Sequence, residues 1–96
     1  MNIRIQTLKF DAGEKLSAFV EKKVSRLEKF IAGAQDEAEV VLENLKEGKK
    51  AKIHIHIPGS EAIIERTADT FENAITEAVD AMKEKLTRAK EKNGEA

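Results

Sequence analysis

Cysteine is missing from all 96 residues. Its absence excludes disulfides, a thiol nucleophile and zinc–thiolate sites. Tryptophan and tyrosine are missing too, and only four phenylalanines remain. Stacking platforms for unpaired bases, which are built from aromatic side chains, are therefore not expected. No apolar run approaches the roughly 18 residues of a membrane span. The opening M-N-I-R-I-Q-T has no continuous apolar signal region. A soluble cytoplasmic protein is the expectation. Neither sign of charge prevails: 17 Lys and Arg stand against 18 Asp and Glu, for a net charge of −1. Overall charge thus gives no pointer to nucleic acid, and only an uneven distribution could.

Hydrophobic residues make up 41% of the chain. That suffices for one small globular domain spanning 1–96, expected to be ordered over about 2–92. I-R-I-Q-T-L alternates apolar and polar, as a strand does. Asp11 and Glu14 have capping-box spacing, and Phe10 is placed to staple onto the first helical turn. Leu16, Phe19, Val20, Val24, Leu27, Phe30 and Ile31 then recur at three and four, predicting an amphipathic helix of about five turns. Gly33 suits its left-handed cap.

E-A-E-V-V-L-E-N-L predicts a second strand, and K-E-G-K-K a turn at Gly48. A-K-I-H-I-H-I predicts a third strand, with strict alternation. I-P-G-S fits a type II turn at Pro58 and Gly59. A fourth strand is expected from about Glu61 to Ala68. After Asp69, a cap candidate, Phe71, Ile75, Val79, Met82 and Leu86 mark a second amphipathic helix to about Lys92, with N-G-E-A fraying. The order β-α-β-β-β-α packs most simply as an α+β sandwich: a four-stranded sheet with both helices on one face. The first strand–helix–strand unit should then have parallel strands.

The pair in K-I-H-I-H-I invites a metal reading. Alternation puts Ile53, Ile55 and Ile57 on the core side and Lys52, His54 and His56 on the other. A metal site needs three or four ligands, and these are the only two histidines. Carboxylates on adjacent strands could complete a set, but no spacing demands it, so the histidines are assigned to a solvated face and no metal is expected. There is no triad spacing and no glycine-rich phosphate loop, so neither enzymatic activity nor a small-molecule substrate is expected.

The helices separate their charges. On a helical wheel Lys15, Lys22, Arg26 and Lys29 gather on one flank of the first helix, with Glu14, Glu21 and Glu28 on the other. Lys23 lies at the edge of the apolar stripe, where a lysine snorkels outward. On the second helix Lys85, Arg88 and Lys92 flank the stripe on one side, and Lys83 and Lys90 on the other. Two helices side by side could thus present a basic surface. Solvated helices carrying i to i+4 ion pairs would explain the same pattern.

L-S-A-F-V-E-K-K-V-S-R-L-E-K-F, E-A-E-V-V-L-E, K-I-H-I-H-I-P-G-S and D-T-F-E-N-A-I-T-E-A-V-D-A-M-K-E-K-L-T-R-A-K-E-K together resemble the ribosome hibernation promoting factor family, earlier labelled sigma-54 modulation proteins. The resemblance covers nearly the whole chain. It implies the β-α-β-β-β-α fold and binding to the small ribosomal subunit in the channel for mRNA and tRNA. Basic residues of both helices would contact 16S rRNA phosphates, blocking translation and protecting idle ribosomes in stationary phase. By position, Lys23 and Arg26 match basic positions of the first helix, and Arg88 and Lys90 those of the second. The wheel adds Lys22, Lys29, Lys83, Lys85 and Lys92.

D-A-M-K-E-K-L departs from the family's D-K-L-x-R-Q-L, so Ala81 and Glu84 stand where Lys and Arg are common. The expected form is the short one, without the C-terminal domain that joins two ribosomes in long members, and monomeric off the ribosome. A protein-interaction or transcription-modulating module, with no ribosome binding, is the competing expectation.

Overall fold

In the computed structural model the chain runs β1 (Asn2–Leu8), α1 (Glu14–Ser25), a 3-10 segment (Arg26–Phe30), β2 (Glu37–Asn44), β3 (Lys49–Ile57), β4 (Ser60–Ala68) and α2 (Phe71–Gly94). Residues 2–30, 37–57 and 60–94 are described, with side chains for all of these except 57, 60 and 89–94. The expected cap at Gly33, the helical residue Ile31 and the Pro58–Gly59 turn lie outside the described residues.

The sheet order is β1-β2-β3-β4. β1 and β2 are parallel, as a strand–helix–strand crossover requires, and the two later pairings are antiparallel. Alternation decides the two faces. Ala38, Val40, Leu42, Ala51, Ile53, Ile55 and Ala62 are buried on one face. Val20, Val24 and Leu27 cover them from the first helix, and Ala74, Ile75, Ala78, Val79, Met82 and Leu86 from α2. α1 lies against β1, α2 against β3 and β4, and the helices touch each other. No polar or charged residue is buried among the described residues, so the core is held by apolar burial, about 1.5–3 kcal/mol for each large side chain.

Three local expectations change. α1 starts at Glu14, so its N-cap is Gly13, whose extended backbone offers no side-chain bond. Asp11 lies two residues too early to cap. Phe10 does not serve the first helix; its ring stacks on Phe71 with centroids 4.4 Å apart, tying the β1–α1 connection to the start of α2. The long first helix is three turns of α-helix followed by a 3-10 stretch. At that junction the Ser25 hydroxyl donates to the Lys22 carbonyl at 2.9 Å, a back-bond that competes with regular helix geometry.

α2 is capped by Thr70, not Asp69. Thr70 Oγ1 accepts from the Asn73 N–H at 3.1 Å. Asp69 accepts instead from the Asn73 side-chain amide at 2.8 Å. α2 continues to Gly94, two residues past the expected end.

The β2–β3 connection is a tight hairpin in which Leu45 and Gly48 exchange backbone bonds of 2.9 and 3.3 Å. Gly48 is required by proximity: a Cβ there would stand 2.8 Å from the Ala68 carbonyl oxygen. The nearest group is backbone, which cannot swing aside, and the Thr67 Cγ2 methyl would stand 3.2 Å away. Gly48→Ala should therefore lower stability by about 1–3 kcal/mol in urea unfolding, and an unchanged midpoint would refute this reading of the hairpin.

The Asn73 amide holds the Asp69 carboxyl below its ordinary 3.8. Because the folded value is depressed, the linked stabilisation is present above pH 3.8 and is lost as pH falls through the folded value. An NMR titration should place Asp69 below 3.8 in the native chain and closer to 3.8 in Asn73→Ala.

Candidate nucleic-acid interface

The two helices lie side by side over the sheet and leave a cleft between them. Lys23, Arg26, Leu27, Lys29 and Phe30 line it from the first helix, and Thr76, Val79, Asp80 and Lys83 from α2. Its volume is about 150 Å³, below the roughly 300–1,000 Å³ of small-molecule pockets. It is a groove with a charged rim.

The cations meet there for a local reason. Lys23, Arg26 and Lys29 are spaced by three. In the 3-10 segment, side chains three apart eclipse one another. Arg26 and Lys29 therefore stay on the same side as Lys23. A continuous α-helix would have carried them around toward Lys22. This corrects the wheel, which set Lys22 with Arg26 and Lys29 and kept Lys23 apart. Lys22 instead lines a shallow groove with Ile3, Ala18, Glu21 and Ser25, on the β1 side of α1.

Two cleft lysines rest on aromatic rings. Lys23 Nζ lies 5.6 Å from the Phe19 ring centroid, and Lys83 Nζ lies 5.5 Å from that of Phe30. Each stem covers apolar surface while the ammonium reaches the rim, as expected for a lysine at a stripe edge. The Lys83–Phe30 contact also bridges the two walls of the cleft. Among the described residues Asp80 is the one carboxylate lining the cleft.

Lys85 and Arg88 occupy the opposite flank of α2, over the β4 edge, in a groove with Ile64, Arg66, Ala81 and Glu84. Lys85 Nζ donates to the Ile63 carbonyl at 3.4 Å. Arg88 pairs with Glu84 at 2.6 Å. Glu84 thus engages a neighbouring basic side chain. Arg66, from β4, adds a cation that no helical wheel could supply. Lys90 and Lys92 lie on the last turns of α2, and their side chains are outside the described residues. Lys23, Arg26, Lys29 and Lys83 therefore converge, while Lys22 on one side and Lys85 with Arg88 on the other form outer flanks of the same helical layer.

His54 and His56 stand on the other face of the sheet, opposite the helices, as alternation predicts. Ile53 and Ile55 are fully buried, while the His54 and His56 side chains are 22% and 49% exposed. Glu61 of β4 pairs directly across from His56, a neighbour that sequence reasoning did not identify. The available sequence signal was the short interval between the two strand-like runs, which limits the register.

Several known proteins share this fold. The sequence profile of the family described as sigma 54 modulation protein / S30EA ribosomal protein matches residues 3–93. The crystal structure of the Thermus thermophilus Protein Y N-terminal domain superposes with a TM-score of 0.83 at 28% identity, covering 92% of this chain and 98% of that one. A ribosomal subunit interface protein from Coxiella burnetii has the same fold, with a TM-score of 0.81 at 18% identity over 94% of this chain and 98% of that one. Among curated protein sequences none matches. With β1 through α2 inside the matched span, the chain belongs to the sigma 54 modulation protein / S30EA ribosomal protein family.

Proposed function

We propose that this protein binds the small ribosomal subunit with its helical layer against rRNA, in the channel used by mRNA and tRNA. The observation that carries the reading is the convergence of Lys23, Arg26, Lys29 and Lys83 on one interhelical cleft in a chain whose net charge is only −1. Lys22, Lys85 and Arg88 extend the positive surface along both flanks, and Lys90 and Lys92 are assigned to the same interface from their positions in the sequence. The family membership and the ribosomal names of its relatives support the same partner. Binding to ribosomes places the protein in the cytoplasm, and no helix among the described residues is long and apolar enough to cross a membrane.

The mechanism is electrostatic and steric. Lysine and arginine displace counterions condensed on rRNA phosphates, which supplies affinity without reading bases. The scarcity of aromatics fits this division, because stacking on unpaired bases is not needed. A domain held in the channel excludes mRNA and tRNA by volume alone. Translation stops and the idle particle is stabilised, as in hibernation, with no chemical step.

Co-sedimentation with purified small subunits across a salt series tests this. Four phosphate contacts from the cleft predict a log–log slope of about −3. Lys23→Glu combined with Arg26→Glu should reduce the slope by about 2 and weaken binding at every salt, with unfolding midpoints close to the parent's. Equal binding by the folded double variant would remove the cleft from the interface. Retention of a protein partner after nuclease treatment, with no affinity for subunits at low salt, would instead favour a protein-interaction module.

A further inference from the structure

The open face of the sheet carries a second cluster. His54 and His56 of β3 and Glu61 of β4 bring one ligand atom each within 4.8 Å of one another. Glu61 is the hub: its Oε1 lies 3.2 Å from His56 Nδ1, and its Oε2 lies 3.5 Å from His54 Nε2. Ligands about 2.1 Å from a tetrahedral zinc ion sit about 3.4 Å apart, and each histidine nitrogen stands near that distance from a different oxygen of the Glu61 carboxylate. The third separation, between the two histidines, closes by small side-chain rotations, which partly exposed rings allow.

His54 supplies an independent observation. Its Nε2 is shielded from solvent, and the Glu61 carboxylate 3.5 Å away does not complete a hydrogen bond with it. A buried imidazole nitrogen without a partner is a cost unless something occupies it. The other ring nitrogen, Nδ1, faces Glu39 Oε2 of β2 at 3.9 Å. A carboxylate behind the far nitrogen is the arrangement that orients a metal-binding histidine and raises its basicity. Glu39 and Glu61 thus face different nitrogens of the His54 ring, Nε2 being the one turned to the cluster.

We infer that His54 Nε2, His56 Nδ1 and the Glu61 carboxylate form a binding site for one divalent transition-metal ion of the zinc class, with Glu39 positioning His54. Two imidazoles and a carboxylate suit zinc, nickel or copper better than magnesium or calcium, which take oxygen ligands. Three protein ligands leave a coordination position open to water. Lys52, on the same face and next to His54 along the strand, is the nearest opposing charge on β3, while Lys50 is engaged by Glu43 and Glu65. The site lies on the face of the sheet opposite the basic cleft, so its occupancy and ribosome binding are separately measurable.

Zinc chloride titrated into the intact chain, followed by calorimetry and by imidazole nitrogen NMR, tests the proposal. One-to-one saturation is expected, with His54 perturbed at Nε2 and His56 at Nδ1. Affinity should fall on acidification, because protons compete with the metal for the same nitrogens. His54→Ala and Glu61→Gln should each weaken uptake by about tenfold or more, and Glu39→Gln by about tenfold, all with parent-like circular dichroism. Binding at millimolar zinc without a one-to-one plateau would overturn the site. So would a plateau that survives unchanged in folded His54→Ala and Glu61→Gln, or saturation that leaves both imidazoles unperturbed.

Discussion

Burial of Ile53 and Ile55 beneath the helices is the constraint on which the rest depends. β3 is an inner strand, paired with both β2 and β4. Its isoleucines lie beneath α2, which packs on β3 and β4, while α1 lies against β1 and touches α2 on the same side of the sheet. Each buried isoleucine contributes about 1.5–3 kcal/mol. A slip of one residue would turn both isoleucines out and both histidines in, which makes the register costly to change. With the register held, the molecule has two unlike surfaces, a helical layer with its cleft and an open sheet face.

The helical layer concentrates charge because apolar stripes must face inward. Lysines and arginines at the stripe edges are then driven to the seam between the helices, where their stems cover Phe19 and Phe30. The 3-10 stretch after Ser25 adds the detail that decides which cations meet. It keeps Arg26 and Lys29 in line with Lys23, and Lys83 reaches them from α2. Glu84 and Asp80 moderate this surface, one by pairing with Arg88 and the other from within the cleft. The open face has a different chemistry. Its strands carry Glu39, Lys50, Lys52, His54, His56, Glu61 and Glu65, so it is a mosaic of opposite charges. Mixed charge favours local pairing over attraction of a polyanion. This is why a phosphate surface is read on one side and a metal-binding cluster on the other.

Elements and their order were legible in the chain because each is encoded locally. Alternation marked β1 and β3, and the spacing of Val20, Val24 and Leu27, or of Ile75, Val79 and Met82, marked the helices. The faces of His54 and His56 followed from the same alternation. Caps were less legible, since Asp11 and Asp69 have the right chemistry but sit too early, and the caps fall to Gly13 and Thr70. Phe10 was read as a local staple because sequence spacing cannot see Phe71, far along the chain and 4.4 Å away in centroid distance.

Periodicity and charge composition by themselves determined the α+β class, the buried faces and the helices that carry basic residues. Only the tertiary structure decided which of those residues stand together. A 3-10 segment changes helical phase, and no wheel drawn at a constant angle contains that change. Strand pairing likewise sets Glu61 beside His56 and Glu39 beside His54, from positions that are separate in sequence. Periodicity specifies the direction in which a side chain points. Its neighbours are specified by how elements pack, and that depends on the whole chain at once.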